Sequence, residues 1–104
     1  MTWDINLVDR WGKDVSLSTN NGFQSRVLNA SPTWAKLWDD NGIKGNDGDP
    51  IYLTDILDVQ GDLLKDALDA QDRGDKDVAA YLRKIVMVAR KNYKDGRSMA
   101  LAFN

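Results

Sequence analysis

Apolar and polar residues alternate from the second residue onward. Trp3, Ile5 and Leu7 are separated by Asp4 and Asn6, and further on Val15 and Leu17 fall between Asp14, Ser16 and Ser18. A period of two is that of a half-buried strand, so the two runs predict a β-hairpin that turns through Asp9-Arg10-Trp11-Gly12-Lys13. Asn20-Asn21-Gly22 reads as a turn because Asn and Gly tolerate positive φ. The segment from Phe23 to Leu28 then predicts a third, short strand.

The period changes after Ser31-Pro32, a pair that starts helices: the hydroxyl caps free amides and Pro fits the first helical position. Trp34, Leu37 and Trp38 follow at i, i+3 and i+4, predicting a short helix over 32–40. The stretch 39–50 is polar and rich in turn residues, which predicts a loop. Thr54 is placed to cap a second helix, with Asp55 near the positive end of its dipole. This helix carries Ile56, Leu57, Leu63, Leu64, Ala67 and Leu68 on one side and closes at Gly74. Asp75 caps a third helix over about 76–94, whose apolar face is Val78, Tyr81, Leu82, Ile85, Val88, Ala89 and Tyr93. The short linker makes the last two helices an antiparallel pair. Met99-Ala100-Leu101-Ala102-Phe103 predicts a strand returning beside the N-terminal hairpin.

These elements predict a single α+β domain over residues 1–104. In it a small antiparallel sheet, from the N-terminal hairpin and the C-terminal strand, packs against a short helix and a long antiparallel helical hairpin. A chain of 104 residues is long enough for one core without disulfides or bound metal. No apolar run reaches the roughly 20 residues that span a bilayer, and the opening residues lack a basic flank and apolar leader. A cytoplasmic location in a bacterial host, with no membrane partner, is the corresponding expectation.

Charge alters the picture more than size does. All sixteen acidic residues are Asp, and the chain has no Glu, His or Cys. Residues 1–77 hold fifteen Asp against eight Lys or Arg, a net −7, and residues 78–104 hold one Asp against six, a net +5. Asp55, Asp58, Asp62, Asp66 and Asp69 recur at helical spacing, which at about 100° per residue sets them within roughly an 80° arc. Asp forms helices less well than Glu, so a face needing only solubility would more readily carry Glu; a plainly solvated face is the alternative reading. The opposite sign gathers on the last helix, where Arg83, Lys84, Arg90, Lys91 and Lys94 crowd the face away from the apolar one.

The missing residue types exclude much chemistry. Without His or Cys there is no Ser-His or Cys-His nucleophile pair, no His acid-base catalysis and no Cys/His zinc site. An Asp-based acid-base pair needs one carboxyl in a pocket that raises its pKa, and these aspartates fall on predicted exposed faces. The chain reads as non-enzymatic, with no cofactor or metal. Asp39, Asp40, Asp47 and Asp49 are oxygen ligands of the kind calcium prefers, but their spacing fails the EF-hand template. Trp3, Trp34 and Trp38 belong to apolar faces; Trp11, in the predicted hairpin turn, is the aromatic candidate for an interface.

The run Trp3-Asp4-Ile5-Asn6-Leu7-Val8-Asp9, with Leu28-Asn29-Ala30-Ser31-Pro32-Thr33-Trp34 and then Asn41-Gly42-Ile43, resembles a group of small uncharacterised phage and prophage proteins. Those open with W-D-I-x-L-x-D, carry an asparagine-serine-proline-aromatic segment before a short helix, and end in two helices. The resemblance covers about half the chain and departs beyond Asp95-Gly96-Arg97. It implies a phage origin and a compact inhibitor or adaptor that docks onto a host machine, and it brings no activity with it.

The residues themselves point to a non-catalytic protein-binding module. Carboxylates three and four apart on a helix lie about 5–6 Å apart at Cβ, close to the repeat of phosphates along a nucleic-acid strand. The Asp face, with Trp11, therefore suits a protein with a basic, nucleic-acid-binding surface, including one within a nucleoprotein complex. An inhibitor of a bacterial defence complex, of the anti-CRISPR kind, is its most specific form. The alternatives are a phage structural or regulatory adaptor and direct nucleic-acid binding through Arg83, Lys84, Arg90, Lys91 and Lys94. The two-signed surface leaves self-association open.

Overall fold

The computed structural model describes residues 2–8, 17–40, 51–93 and 100–103, with side chains over 22–40 and 51–93. In chain order the elements are β1 (Thr2–Val8), β2 (Leu17–Asn20), α1 (Asn21–Ala30), α2 (Pro32–Asp40), β3 (Ile51–Tyr52), α3 (Leu53–Asp58), α4 (Gln60–Asp72), α5 (Lys76–Asn92) and β4 (Ala100–Phe103). Trp11, Lys94, the predicted hairpin turn and positions 41–50 of the predicted loop lie outside the described residues.

Helix α5 organises the core because its apolar stripe is unusually wide. Val78, Ala79, Tyr81, Leu82, Ile85, Val86, Val88 and Ala89 are all buried, and α1, α3 and α4 each pack against it. On α4 the buried positions are Leu63, Ala67 and Ala70. Two of these are alanines, whose small side chains let helix axes approach closely. Helix α2 adds Trp34, Leu37 and Trp38, the two indole rings lying edge to face with centroids 6.4 Å apart.

The turn between α4 and α5 is set by Gly74, at φ +89. Its amide donates to the Gln71 carbonyl at 3.0 Å and the Asp75 amide donates to the Ala70 carbonyl at 2.9 Å. This is the Schellman pattern, which satisfies the last carbonyls of a helix and needs a left-handed residue. Asp75 is the N-cap position of α5, but its side chain makes no capping bond.

Several local readings are overturned. Asn20-Asn21-Gly22 ends β2 and begins α1 rather than forming a separate turn. Phe23 to Leu28 is helical, not a third strand, and lies within α1. Gln24 and Val27 are buried while Phe23 and Leu28 are partly so, a helical repeat disguised because one of its two buried members is polar. The amide of Gln24 donates to the Tyr81 hydroxyl at 2.7 Å, and Phe23 meets the Tyr81 ring edge-on at 5.3 Å. The Asp-bearing helix also begins at Leu53, so Thr54 is not its cap, and it breaks at Val59, where φ is −115 and ψ is 16. Val59 is β-branched and Gly61 follows two residues on, both weak helix formers. The Gln60 side chain donates to the Leu57 carbonyl at 3.1 Å, occupying an acceptor near the break.

The predicted class, α+β with an antiparallel sheet as a packing layer, is likewise corrected. Over the region with described side chains 87% of residues are helical and Ile51–Tyr52 is the one short strand. The protein is mostly helical, because the stripes on α2, α4 and α5 bury one another and supply the core. The strands at the chain's two ends contribute backbone pairing: β1 with β2 and β4, and β3 with β4, all antiparallel. They place Ile5 opposite Leu17 and Phe103, and Leu101 opposite Leu7 and Ile51.

Replacing Gly74 by Ala forces a Cβ into left-handed backbone and is expected to lower unfolding free energy by about 1–2 kcal/mol. Gly61, within α4, has open space where an alanine Cβ would sit, and it is expected to respond oppositely, Gly61→Ala gaining roughly 0.4–1 kcal/mol. Urea denaturation of the two variants checks both signs.

Candidate protein-binding face

A carboxylate row on one helix face follows from the Asp spacing, but the bend at Val59 divides it. Asp55 and Asp58 lie on α3, and Asp62, Asp66 and Asp69 on α4. Asp58, Asp62 and Asp69 are exposed and Asp55 and Asp66 half-buried.

Asp66 has an internal role. Its Oδ2 accepts from the Ser31 hydroxyl at 2.7 Å and from the Thr33 amide at 3.3 Å. The Ser31 oxygen in turn accepts from the Trp34 amide at 3.1 Å, so a serine and an aspartate together serve the first turn of α2. A carboxylate there also meets the positive end of the helix dipole. Asp66 is thus removed from the docking row and ties α2 to α4.

Asp55 and Asp58 open onto a cavity of about 390 Å3 between α2 and α3, completed by Thr33, Lys36, Leu37, Asp40 and Val59. Lys36 pairs with Asp40 at 3.7 Å, and both side chains are largely exposed, so the pair adds little stability. Thr33, Lys36 and Asp40 are not among the sequence-predicted site residues. A signal exists, since positions 33, 36 and 40 share one helical face, but nothing in the chain places that face beside α3.

Among the described residues Asp55, Asp58, Asp62 and Asp69 form no ion pair. The cations of α5 do not reach them. Arg83 donates to the side chain of Gln71, and Arg90 Nε donates to Gln60 Oε1 at 2.6 Å. Both arginines therefore meet neutral amides on the other flank of α4. Lys84 and Lys91 are exposed, and among the described residues neither forms an ion pair.

The acidic side chains that are paired lie elsewhere. Arg26 of α1 bonds both carboxylate oxygens of Asp77, at 2.8 and 2.9 Å, and Asp75 at 3.1 Å. The hydrogen bond from Arg26 is the main reason the Asp77 carboxyl is held below its ordinary value of 3.8. The same bonds, Asp77 first and Asp75 next, push Arg26 further up. No sequence signal links position 26 to position 77.

No group of three or more Asp side chains among the described residues is arranged to hold a metal ion. No described helix is long and apolar enough to cross a membrane. Comparison with protein-family models, curated proteins and solved structures finds no match to this chain.

Ser31→Ala removes the cap and leaves the half-buried Asp66 without its hydroxyl donor, with an expected cost of about 1–2 kcal/mol by thermal or urea unfolding. For the Arg26 clamp the expectation concerns pH. A carboxyl with its folded pKa below its unfolded one stabilises above the unfolded value and loses that contribution as pH falls through the folded one. The Tm of wild type is therefore expected to exceed that of Asp77→Asn at neutral pH, and the gap to close as pH drops below the ordinary 3.8. A pH series of melting curves reads it directly.

Proposed function

We propose that the protein is a non-catalytic binding module that sets Asp55, Asp58, Asp62 and Asp69 against a basic surface of a protein partner. The supporting observation is that, among the described residues, these four carboxylates form no ion pair while Arg26 takes Asp75 and Asp77. Leaving like charges three or four residues apart weakens a helix by a few tenths of a kcal/mol per neighbouring pair. A cationic partner surface would relieve that repulsion.

The cavity beside Asp55 and Asp58, about 390 Å3 with Leu37 and Val59 in its wall, is within the size range of small binding clefts. It offers a lysine or arginine side chain an apolar wall for its stem and two carboxylates for its head. Because the bend at Val59 separates this pair from Asp62 and Asp69, the face suits a basic groove that reads charge in patches. Nucleic-acid-binding grooves are of this kind, and occupying one would inhibit its owner.

The test is affinity capture from bacterial lysate with two variants, Asp55→Asn/Asp58→Asn and Asp62→Asn/Asp69→Asn, beside wild type. A basic protein is expected to be retained by wild type, to elute when salt reaches about 0.5 M, where screening shortens to a few ångströms, and to be lost from both variants. Both variants are expected to melt at or slightly above the wild-type temperature. Retention of the same protein by both would overturn the proposal.

A further inference from the structure

The solvent-facing sector of α5 is cationic along its length. Lys76, Lys84, Arg90 and Lys91 are exposed and Arg83 is half-buried, and at about 100° per residue these side chains fall within roughly 120° of one another. They form three tiers, at 76, at 83 and 84, and at 90 and 91. The tiers are about 10 Å apart and extend about 20 Å along the axis.

The fold keeps acids off this face. The one acid on α5 is Asp77, and Arg26 takes its carboxylate. Helix α1 borders one flank through Gln24 and Tyr81 and holds no acidic residue. The other flank is the edge of α4, where Gln60 and Gln71 accept from Arg90 and Arg83. Asp62 and Asp69 lie about 160–180° around α4 from those glutamines. Between them come Leu64, Leu68 and one charge of each sign, Lys65 and Asp72. With packed helix axes about 8–10 Å apart, the acidic face is more than a Debye length, about 10 Å at 0.1 M salt, from the cations.

Arg90 is held ready for an anion. Its Nε donates to Gln60 Oε1 at 2.6 Å, while Gln60 Nε2 donates to the Leu57 carbonyl at 3.1 Å. This relay sets the plane of the guanidinium and, among the described residues, leaves both terminal nitrogens without a partner. Such a fork grips a phosphate through two parallel bonds.

We propose that this face binds double-stranded DNA through its phosphates, without regard to base sequence. Each strand of a duplex carries a phosphate about every 3.4 Å along the axis, so every tier finds one at any register. An acidic protein surface would have to match three tiers at fixed positions. Single strands are gripped by aromatic side chains that stack on their bases, and the exposed sector of α5 has none, Tyr81 being buried.

Fluorescence anisotropy of a labelled duplex of about 20 base pairs, titrated with the full chain from about 20 to 200 mM salt, tests the proposal. Wild type is expected to bind with a Kd of about 10 μM at the lowest salt, and log affinity to fall against log salt with a slope of about −4. Lys84→Gln/Lys91→Gln is expected to reduce that slope by about two and to weaken binding roughly tenfold or more. Arg90→Lys keeps the charge and loses the fork, so binding is expected to weaken about threefold at the same slope. No binding at the lowest salt, a slope unmoved by Lys84→Gln/Lys91→Gln, or tighter binding to a single strand of equal length or to phosphatidylserine vesicles overturns the proposal. Asp62→Asn/Asp69→Asn leaves α5 untouched and is expected to keep the wild-type slope, so this readout fails or succeeds separately from the capture of a basic partner.

Discussion

Everything in this structure is arranged around the burial of α5. Its eight buried residues, Val78 through Ala89, extend over roughly half the helix circumference, more than one neighbouring helix can cover. Helix α4 takes one part of that surface through Leu63, Ala67 and Ala70, while α1 and α3 take the rest. Charged side chains of α5 are thereby confined to the remaining sector, which is why Lys84 and Lys91 sit together in solvent and Arg83 and Arg90 border α4. Packing thus sets where the cations of α5 lie, though not their sign. Burial of a Leu or Ile here stabilises by about 1.5–3 kcal/mol, far more than any surface pair.

Polar contacts then decide where the smaller helices sit. Ser31 and Asp66 close the N-terminus of α2 against α4, and Gln24 meets the hydroxyl of Tyr81 inside the core. These bonds matter less for their net strength than for the cost of leaving a buried polar group unmatched, about 1–3 kcal/mol. They therefore fix which face of α1 and α2 turns inward. The Arg26 clamp on Asp75 and Asp77 is about half exposed and contributes positioning more than stability. One consequence is functional: Asp66 is consumed by the fold, whereas its neighbours along the row are not.

The surface that results has two distinct regions. One holds the carboxylates of α3 and α4 beside the cavity under α2. The other is the cationic face of α5, bordered by the Arg–Gln bonds.

The helix at 32–40, the start of the last helix at 76, the glycine turn between the last two helices, and the burial of Trp34 and Trp38 are legible in the residues alone. Each depends on local pattern: a serine-proline start, a 3.6-residue apolar repeat, a glycine where φ is positive. Helix α1 escapes such a reading because Gln24 looks exposed in one dimension and is buried only once Tyr81 is brought to it. The helical character of the core is obscured for a related reason, since alternation at the chain ends weighs as much in the sequence as the stripes that do the packing. The cluster of acids on the middle helices was determined by their spacing. Which of them remain free, how the bend at Val59 divides them, and that Arg83 and Arg90 turn to glutamines were decided only by tertiary structure. Pairing depends on distances between segments far apart in the chain, and composition carries no record of those distances.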